Sequence, residues 1–256
     1  MDFDGKIALV TGTTGIARAV AIKLSLEGAK VVALGIDQVG NDALAADAPS
    51  IMTRRTDVSV AADVGAAVRE IENRFGRLDV IVNSAAVHPY GDAVSTSPEL
   101  FAKCLAVNAG SIHLTAHFGV PLMRKTGGGV IVNVSSVQGH ACQAGVMAYV
   151  ASKGAIHAMT RAMALDFAPD KIRVVSVSPG SVRTPILALA ARTLDGPNAD
   201  IDAVFARFGA AHPIGRIGEP EEVADFIAFL ASDKAGFISG SDHVIDGALT
   251  AGIGVK

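Results

Sequence analysis

The chain has 256 residues, of which 50% are hydrophobic, 18% are charged and 5% are aromatic, and its formal net charge is −3. This composition excludes a disordered chain, which would be highly charged and poor in apolar residues, and it offers no positive surface for nucleic acid. The two cysteines, Cys104 and Cys142, exclude a disulfide framework and fit a reducing compartment.

The start of the chain and its apolar runs indicate a soluble protein. The first residues are acidic and lead directly into a strand pattern, which is unlike a signal peptide. No apolar run reaches the length of about 18 residues that a membrane span requires. We therefore expect a cytoplasmic globular protein that binds neither nucleic acid nor membrane.

Short apolar strand patterns alternate with longer helical patterns. Seven strands are predicted, at Ile7–Thr11, Lys30–Leu34, Ile51–Thr56, Val80–Asn83, Val130–Val134, Val174–Ser178 and His243–Asp246. Helical patterns lie near residues 16–28, 60–74, 98–125, 149–168 and 220–231. Because most strands are apolar on successive residues, helices are expected on both faces of the sheet. The alternation predicts a single α/β domain over residues 1–256, with a doubly wound, mostly parallel Rossmann sheet.

Residues 185–218 interrupt this alternation. The segment is Ala-rich, contains Gly196-Pro197-Asn198 and follows the end of a strand. Ligands of doubly wound sheets bind beyond the carboxyl ends of the strands. The segment is therefore predicted to be a substrate lid, and the alternative is an ordinary helical excursion.

A glycine-rich turn follows the first strand. It reads Thr11-Gly12-Thr13-Thr14-Gly15-Ile16-Ala17, and a helix comes next. Such a turn brings backbone N–H groups and a helix N-terminus to a pyrophosphate. Gly12, Thr13, Thr14, Gly15 and Ile16 are therefore candidate cofactor contacts.

A tyrosine and a lysine share one face of a predicted helix. Tyr149 and Lys153 are four residues apart, so their side chains can converge. A neighbouring ammonium favours phenolate and lowers the tyrosine pKa from its ordinary value of about 10, which makes a usable base. Ser136 follows an apolar strand and can hydrogen-bond a substrate oxygen. Ser135 is its alternative, and either serine can instead bond local backbone.

Together these motifs resemble the short-chain dehydrogenase/reductase family over nearly the whole chain. The other motifs that carry the resemblance are Asp57-Val58, Asn83-Ser84-Ala85-Ala86, Asn108, Pro179-Gly180-x-Val182-x-Thr184, Gly215-Arg216, Pro220-Glu221-Glu222-Val223-Ala224, Ile238-Ser239-Gly240 and Asp246-Gly247. The resemblance implies an oxidoreductase that transfers hydride between a nicotinamide cofactor and a secondary alcohol or ketone.

The resemblance also implies a role for each residue. Tyr149 would be the general acid and base, and Lys153 would bind the nicotinamide ribose and lower the tyrosine pKa. Ser136 would orient the substrate oxygen, and Asn108 would hold a water in a proton relay. The implied cofactor contacts are Asp57, Val58, Asn83, Ala85, Pro179, Gly180, Val182 and Thr184.

The chain departs from the family pattern at the turn and after the second strand. The turn is one residue shorter than usual, and Ala17 replaces its last glycine. Gly35 stands where the family places an aspartate, and Asp37 lies two positions further on. An acid there favours NAD and a base favours NADP. Asp37 therefore favours NAD without excluding NADP, and the alternative is that it only caps the following turn.

Polar residues near the predicted site favour a hydroxylated substrate. The candidates to face it are His88, Gln138, His140, Gln143 and Met147, each of which is alternatively an ordinary loop residue. The aromatic wall that a flat steroid would need is missing apart from Tyr90. No metal is expected, because the pair His113 and His117 has no third ligand in view.

Three functions stay open. The first is an NAD-dependent dehydrogenase acting on a small sugar, polyol or cyclic alcohol. The second is an NADPH-dependent ketoreductase, such as a 3-oxoacyl-carrier-protein reductase, and the third is a non-catalytic dinucleotide-binding protein. The three-residue gap between Tyr149 and Lys153 differs from the six of the enoyl-reductase branch. The family resemblance also implies a homo-oligomer, with a tetramer expected.

Overall fold

The computed structural model describes residues 1–252, in which one sheet is surrounded by helices. Seven strands occur there: β1 (Ile7–Thr11), β2 (Lys30–Gly35), β3 (Met52–Arg55), β4 (Val80–Asn83), β5 (Gly129–Val134), β6 (Ile172–Pro179) and β7 (Asp242–Ile245). Their order across the sheet is β3-β2-β1-β4-β5-β6-β7, and every neighbouring pair is parallel. The predicted doubly wound Rossmann sheet is confirmed.

Nine α-helices lie between and beside the strands in the described part of the chain. They are α1 (Gly15–Leu26), α2 (Gln38–Asp47), α3 (Ala61–Phe75), α4 (Pro98–Leu105), α5 (Ser111–Lys125), α6 (Met147–Phe167), α7 (Pro185–Asp195), α8 (Ile201–Ala211) and α9 (Pro220–Ala231). Within residues 1–252, no helix combines the length and apolar content that crossing a membrane requires.

Two hydrophobic layers enclose the sheet. Successive residues of a strand point to opposite faces, so Ala8 and Val10 of β1 lie in the layer that α1 and α9 cover. Ile7 and Leu9 lie in the other layer, which α3, α5 and α6 cover. All five β1 residues are buried, which explains why this strand is apolar on successive residues.

Three stretches differ from their predicted form. Helix α2 has no counterpart in the predicted pattern, because its buried face consists of Gly40, Asn41 and Leu44 and so lacks apolar periodicity. The single helix predicted over residues 98–125 is α4 and α5 joined by a π-helical turn at Ala106–Gly110. The interrupting segment 185–218 contains α7 and α8.

Candidate active site

A cavity of about 850 Å³ lies at the carboxyl ends of the strands. Most residues predicted to contact a cofactor line it: Gly12, Thr13, Thr14, Gly15, Ile16, Asp37, Asp57, Val58, Ala85, Tyr149, Lys153, Pro179, Gly180, Val182 and Thr184. Asn83 lies beneath the cavity instead. Its amide donates to Asn133 Oδ1 at 2.9 Å and its Oδ1 accepts from Thr115 at 2.8 Å, so it ties β4 to β5 and α5.

The turn after β1 brings backbone close to the cavity. Gly12 and Gly15 have φ angles of 99° and 54°, which residues with side chains rarely adopt. A Cβ at Gly12 would lie 2.8 Å from the Cβ of Ala17. Helix α1 begins at Gly15 with no side-chain cap and no acidic residue in its first turn. Its N-terminal N–H groups and positive dipole end therefore suit the pyrophosphate of a dinucleotide.

Asp37 lies on the cavity wall after β2 and also caps α2. Its carboxylate accepts hydrogen bonds from the backbone N–H groups of Val39 and Gly40, each at 3.2 Å. Within the described chain, Asp37 therefore caps helix α2, as the alternative prediction for this residue states. The side chain is exposed and lines the cavity, so the same carboxylate also stays accessible to a ligand.

Gly35 has no room for a side chain. A Cβ at this position would overlap Asn41 Oδ1 and Thr13 Oγ1. The Asn41 amide donates to the Gly35 carbonyl at 3.1 Å, and Thr13 belongs to the shortened turn. The space that the family uses for an aspartate side chain is therefore filled by two polar side chains of this protein.

Ser136, Tyr149 and Lys153 meet beside the end of β5. Tyr149 and Lys153 lie one turn apart on α6 and are buried, and Ser136 follows β5 close enough to Tyr149 to act against the rise of its pKa. The Lys153 Nζ lies 5.3 Å from the centre of the Tyr149 ring and donates to the Val134 carbonyl at 2.9 Å. The alternative serine, Ser135, donates to the Lys153 carbonyl at 3.0 Å, which also helps to hold this turn of α6.

Burial dominates the protonation of this pair. It raises the pKa of Tyr149 above its ordinary value, although the hydrogen bond from Ser136 acts in the opposite direction. It lowers the pKa of Lys153 to about 8. Desolvation of the phenolate is the main influence on the Tyr149 pKa. The expectation that Lys153 lowers this pKa stays a prediction. The pair as a whole loses its first proton near pH 8, and the singly deprotonated pair includes the form in which a phenolate lies beside an ammonium.

Asn108 lies in the π-helical turn and is fully engaged by the protein. Its Oδ1 accepts from the Val87 N–H at 2.8 Å, and its amide donates to the Val87 carbonyl and to Ser152 Oγ, each at 2.9 Å. These bonds fix the segment after β4 against α6. They do not reach Lys153, and Asn108 does not line the cavity.

His88, Gln138 and Gln143 line the cavity, whereas His140 and Met147 do not. The His88 ring packs at a tilt against the Tyr149 ring, with centroids 4.0 Å apart, and the centroid of the Tyr90 ring lies 4.9 Å from that of His88. The Gln138 amide donates to Gln143 Oε1 at 3.2 Å. Three of the five predicted substrate-facing residues thus border the space beside Tyr149.

His140 joins a cluster with His157 and Asp242. The His140 ring bonds the Asp242 carboxylate at 2.6 Å and stacks on His157 at 4.1 Å with 21° between the planes. These groups could ligate a metal ion. Such nearly parallel rings cannot both direct an in-plane nitrogen at one ion about 2 Å away. The cluster therefore ties the segment after Ser136 to β7.

Several cavity residues carry no signal in the sequence. Lys103 on α4 and Cys142 in the segment before α6 belong to no motif, yet both line the cavity. The helices α7 and α8 contribute a further wall, formed by Ile186, Leu187, Ala190, Phe208 and Ala211. The position of segment 185–218 after a strand end was the only signal for this wall.

The chain is similar to known proteins in both sequence and fold. The profile of a family described as enoyl-(acyl carrier protein) reductase matches residues 10–250. Cyclohexanol dehydrogenase from Acinetobacter sp. (strain SE19) is 34% identical, over 97% of this chain and 96% of its own length. Meso-2,3-butanediol dehydrogenase from Serratia marcescens is 36% identical, over 99% and 98%.

The fold agrees with solved structures of such enzymes. Ligand-free aldohexose dehydrogenase from Thermoplasma acidophilum superimposes with a TM-score of 0.93 at 33% identity. The match covers 100% of this chain and 98% of that chain. Sequence and fold therefore agree over essentially the whole length.

Proposed function

This chain belongs to the short-chain dehydrogenase/reductase family, whose members transfer hydride between a nicotinamide cofactor and a secondary alcohol or ketone, and we propose that its substrate is a small sugar, polyol or cyclic alcohol. The observation that carries the proposal is the convergence of Ser136, Tyr149 and Lys153 beside a cavity that also presents a glycine turn and an uncapped helix N-terminus. The relatives named for cyclohexanol, butanediol and aldohexose support the substrate class.

The proposed chemistry follows from the positions of the side chains. The bound nicotinamide supplies hydride acceptance in the oxidation direction and hydride donation in the reverse. Ser136 Oγ would hold the substrate oxygen beside Tyr149, whose phenolate takes the alcohol proton during oxidation and whose phenol returns that proton during reduction. Lys153 holds a positive charge beside the ring, and it stabilises the phenolate when that forms.

NAD is the proposed cofactor. Asp37 borders the cavity after β2, where a carboxylate suits a free ribose hydroxyl and repels a phosphate. Among the described residues that line the cavity, the lysines are Lys103 and Lys153, and neither lies in the turn after β1 or in the segment after β2. NADP is the alternative.

A panel of sugars, polyols, cyclic alcohols and β-keto thioesters, each measured with NAD and NADP, tests these assignments together. We expect the highest kcat/KM for a small alcohol with NAD. A higher kcat/KM with NADP would overturn the cofactor assignment. Activity confined to β-keto thioesters would favour the ketoreductase alternative.

Helices α7 and α8, within segment 185–218, are proposed to act as a lid. They supply one wall of the cavity, and Thr184, which caps α7, lies on that wall as well. Binding of a dinucleotide should therefore slow proteolysis within this segment. Equal cleavage rates with and without NAD would contradict the lid.

We also propose a cytoplasmic homotetramer with one domain per chain. The exposed apolar side chains of Leu165 on α6 and Phe237 before β7 support subunit contacts, since they are 79% and 106% exposed in the isolated chain. Light scattering coupled to gel filtration tests the subunit number, and a monomer at micromolar concentration would contradict it.

A further inference from the structure

Two buried polar atoms on the cavity wall have no hydrogen-bond partner within residues 1–252. They are His88 Nδ1 and Gln138 Oε1. Buried polar atoms in folded proteins are nearly always paired, because leaving one unpaired is unfavourable. Because His88 and Gln138 line the cavity, their unpaired side-chain atoms indicate contacts that a bound ligand completes.

Both residues lie against the reacting groups. The His88 and Tyr149 ring centroids are 4.0 Å apart, with 43° between the planes. Gln138 follows Ser136 by two positions, and its backbone N–H donates to Ser136 Oγ at 3.1 Å. A substrate held by Ser136 and Tyr149 in this cavity thus lies beside the His88 ring, and Gln138 belongs to the same cavity wall.

The charge state of His88 suits a neutral hydrogen bond. Burial lowers the pKa of His88, a hydrogen bond to its own backbone opposes this, and the charge of Lys153 lowers the pKa further, so that the net direction is downward. At neutral pH the ring is therefore uncharged, with one nitrogen that donates and one that accepts. Gln138 uses its amide N–H on Gln143 and leaves its Oε1 to accept a hydrogen bond. A hydroxyl, which both donates and accepts, matches this pair.

We propose that His88 and Gln138 form a subsite for a second substrate oxygen, on the carbon next to the one that reacts. The oxygens of a vicinal diol are only a few ångströms apart, and the close contact of His88 with Tyr149, at 4.0 Å between ring centroids, places the two residues side by side. The protein therefore selects vicinal diols, sugars and α-hydroxy ketones over simple alcohols. This inference rests on the proposed function and narrows its substrate class.

Matched substrates isolate the second oxygen. trans-Cyclohexane-1,2-diol is compared with cyclohexanol, and meso-2,3-butanediol with 2-butanol, by kcat/KM with saturating NAD. A substrate that leaves His88 Nδ1 and Gln138 Oε1 unpaired forfeits both bonds. We expect each diol to be preferred by about 10- to 100-fold. A ratio near one for both pairs would overturn the subsite and leave the dehydrogenase assignment intact, whereas oxidation of none of the four would contradict both.

Substitutions at His88 assign the preference to a particular atom. His88→Phe keeps an aromatic ring on Tyr149 but removes both nitrogens, and we expect it to lower the diol-to-alcohol ratio at least tenfold. His88→Asn places an amide nitrogen near the position of Nδ1 and should restore part of the ratio. His88→Gln places its amide closer to the position of Nε2 and should not.

Two further variants complete the test. Gln138→Met removes the second polar atom and should also lower the ratio. His113→Phe makes the same change at an exposed histidine of α5 outside the cavity and should leave the ratio unchanged. An unchanged ratio in both His88→Phe and Gln138→Met would overturn the proposal, as would an equal loss in His113→Phe.

Discussion

Replacing Lys153 by methionine removes a buried charge from the native state. Burial lowers the pKa of Lys153 from its ordinary 10.5 to about 8. Since a tenfold change in proton affinity corresponds to about 1.4 kcal/mol, the charged side chain destabilises the folded protein by about 3 kcal/mol at neutral pH. Loss of its hydrogen bond to the Val134 carbonyl offsets about 1 kcal/mol of this. Lys153→Met should therefore be about 2 kcal/mol more stable than the wild type at pH 7, although it loses activity.

The stability difference between Lys153→Met and the wild type depends on pH. The unfolded chain binds the lysine proton up to pH 10.5, whereas the folded chain releases it near pH 8. The contribution of Lys153 to the free energy of unfolding therefore increases as the pH rises from about 8 to 10.5. Lys153→Met lacks this contribution. The advantage of Lys153→Met should shrink by about 2–3 kcal/mol between pH 7 and pH 10.

Urea unfolding of both proteins without cofactor, at equal protein concentration and at several pH values, measures the difference. Equal concentrations matter because subunit association adds to apparent stability. Lys153→Arg is the control, since guanidinium keeps its charge over the whole range and should show no such recovery. A constant difference in the free energy of unfolding between wild type and Lys153→Met from pH 7 to pH 10 would contradict a Lys153 pKa of about 8 in the folded protein.

Three further predictions concern the cofactor and the reaction. Gly35→Asp restores the acid that the family carries at this position, but the new Cβ overlaps Asn41 and Thr13. We therefore expect the variant to lose about 1–3 kcal/mol in stability and to bind NAD more weakly by calorimetry. Tighter NAD binding would contradict this expectation. Asp37→Ser keeps the helix cap and removes the charge, and should shift the NAD-to-NADP ratio of kcat/KM toward NADP by about tenfold; an unchanged ratio would show that the carboxylate only caps. The kcat/KM for alcohol oxidation should rise by about tenfold per pH unit below pH 8 and level off above it, because the Tyr149–Lys153 pair loses its first proton near pH 8. A flat pH profile between pH 6 and pH 8 would contradict a coupled Tyr149–Lys153 pair.

Strand positions were predictable because burial on both faces leaves an unmistakable apolar run. Val80–Asn83 is an example, with all four residues buried. Helix α2 was not predictable, since it turns a glycine and an asparagine toward the sheet and only Leu44 follows the apolar pattern. The π-helical turn at Ala106–Gly110 was not predictable either, because no residue type in the sequence marks a helical turn that contains one extra residue.

The residues of the site were predictable, but some of their relations were not. The positions of Ser136, Tyr149 and Lys153 after a strand end and on one helix face indicated that they converge. The direction of the Tyr149 pKa depends on how deeply the ring is buried, which spacing alone does not convey. The contact between the His88 and Tyr149 rings was not predictable either, because it requires the segment after β4 to fold back over α6. The hydrogen bonds of Asn108 to Val87 and Ser152 hold that segment in place.

In the proposed reaction, Tyr149 exchanges the proton with the substrate oxygen. Tyr149→Phe keeps the ring that packs against His88 and removes only the hydroxyl. With NAD and meso-2,3-butanediol, we expect kcat/KM of the variant to fall by about 10³-fold or more, while the Kd for NAD stays within about threefold of the wild type. Turnover of Tyr149→Phe equal to that of the wild type would contradict the mechanism.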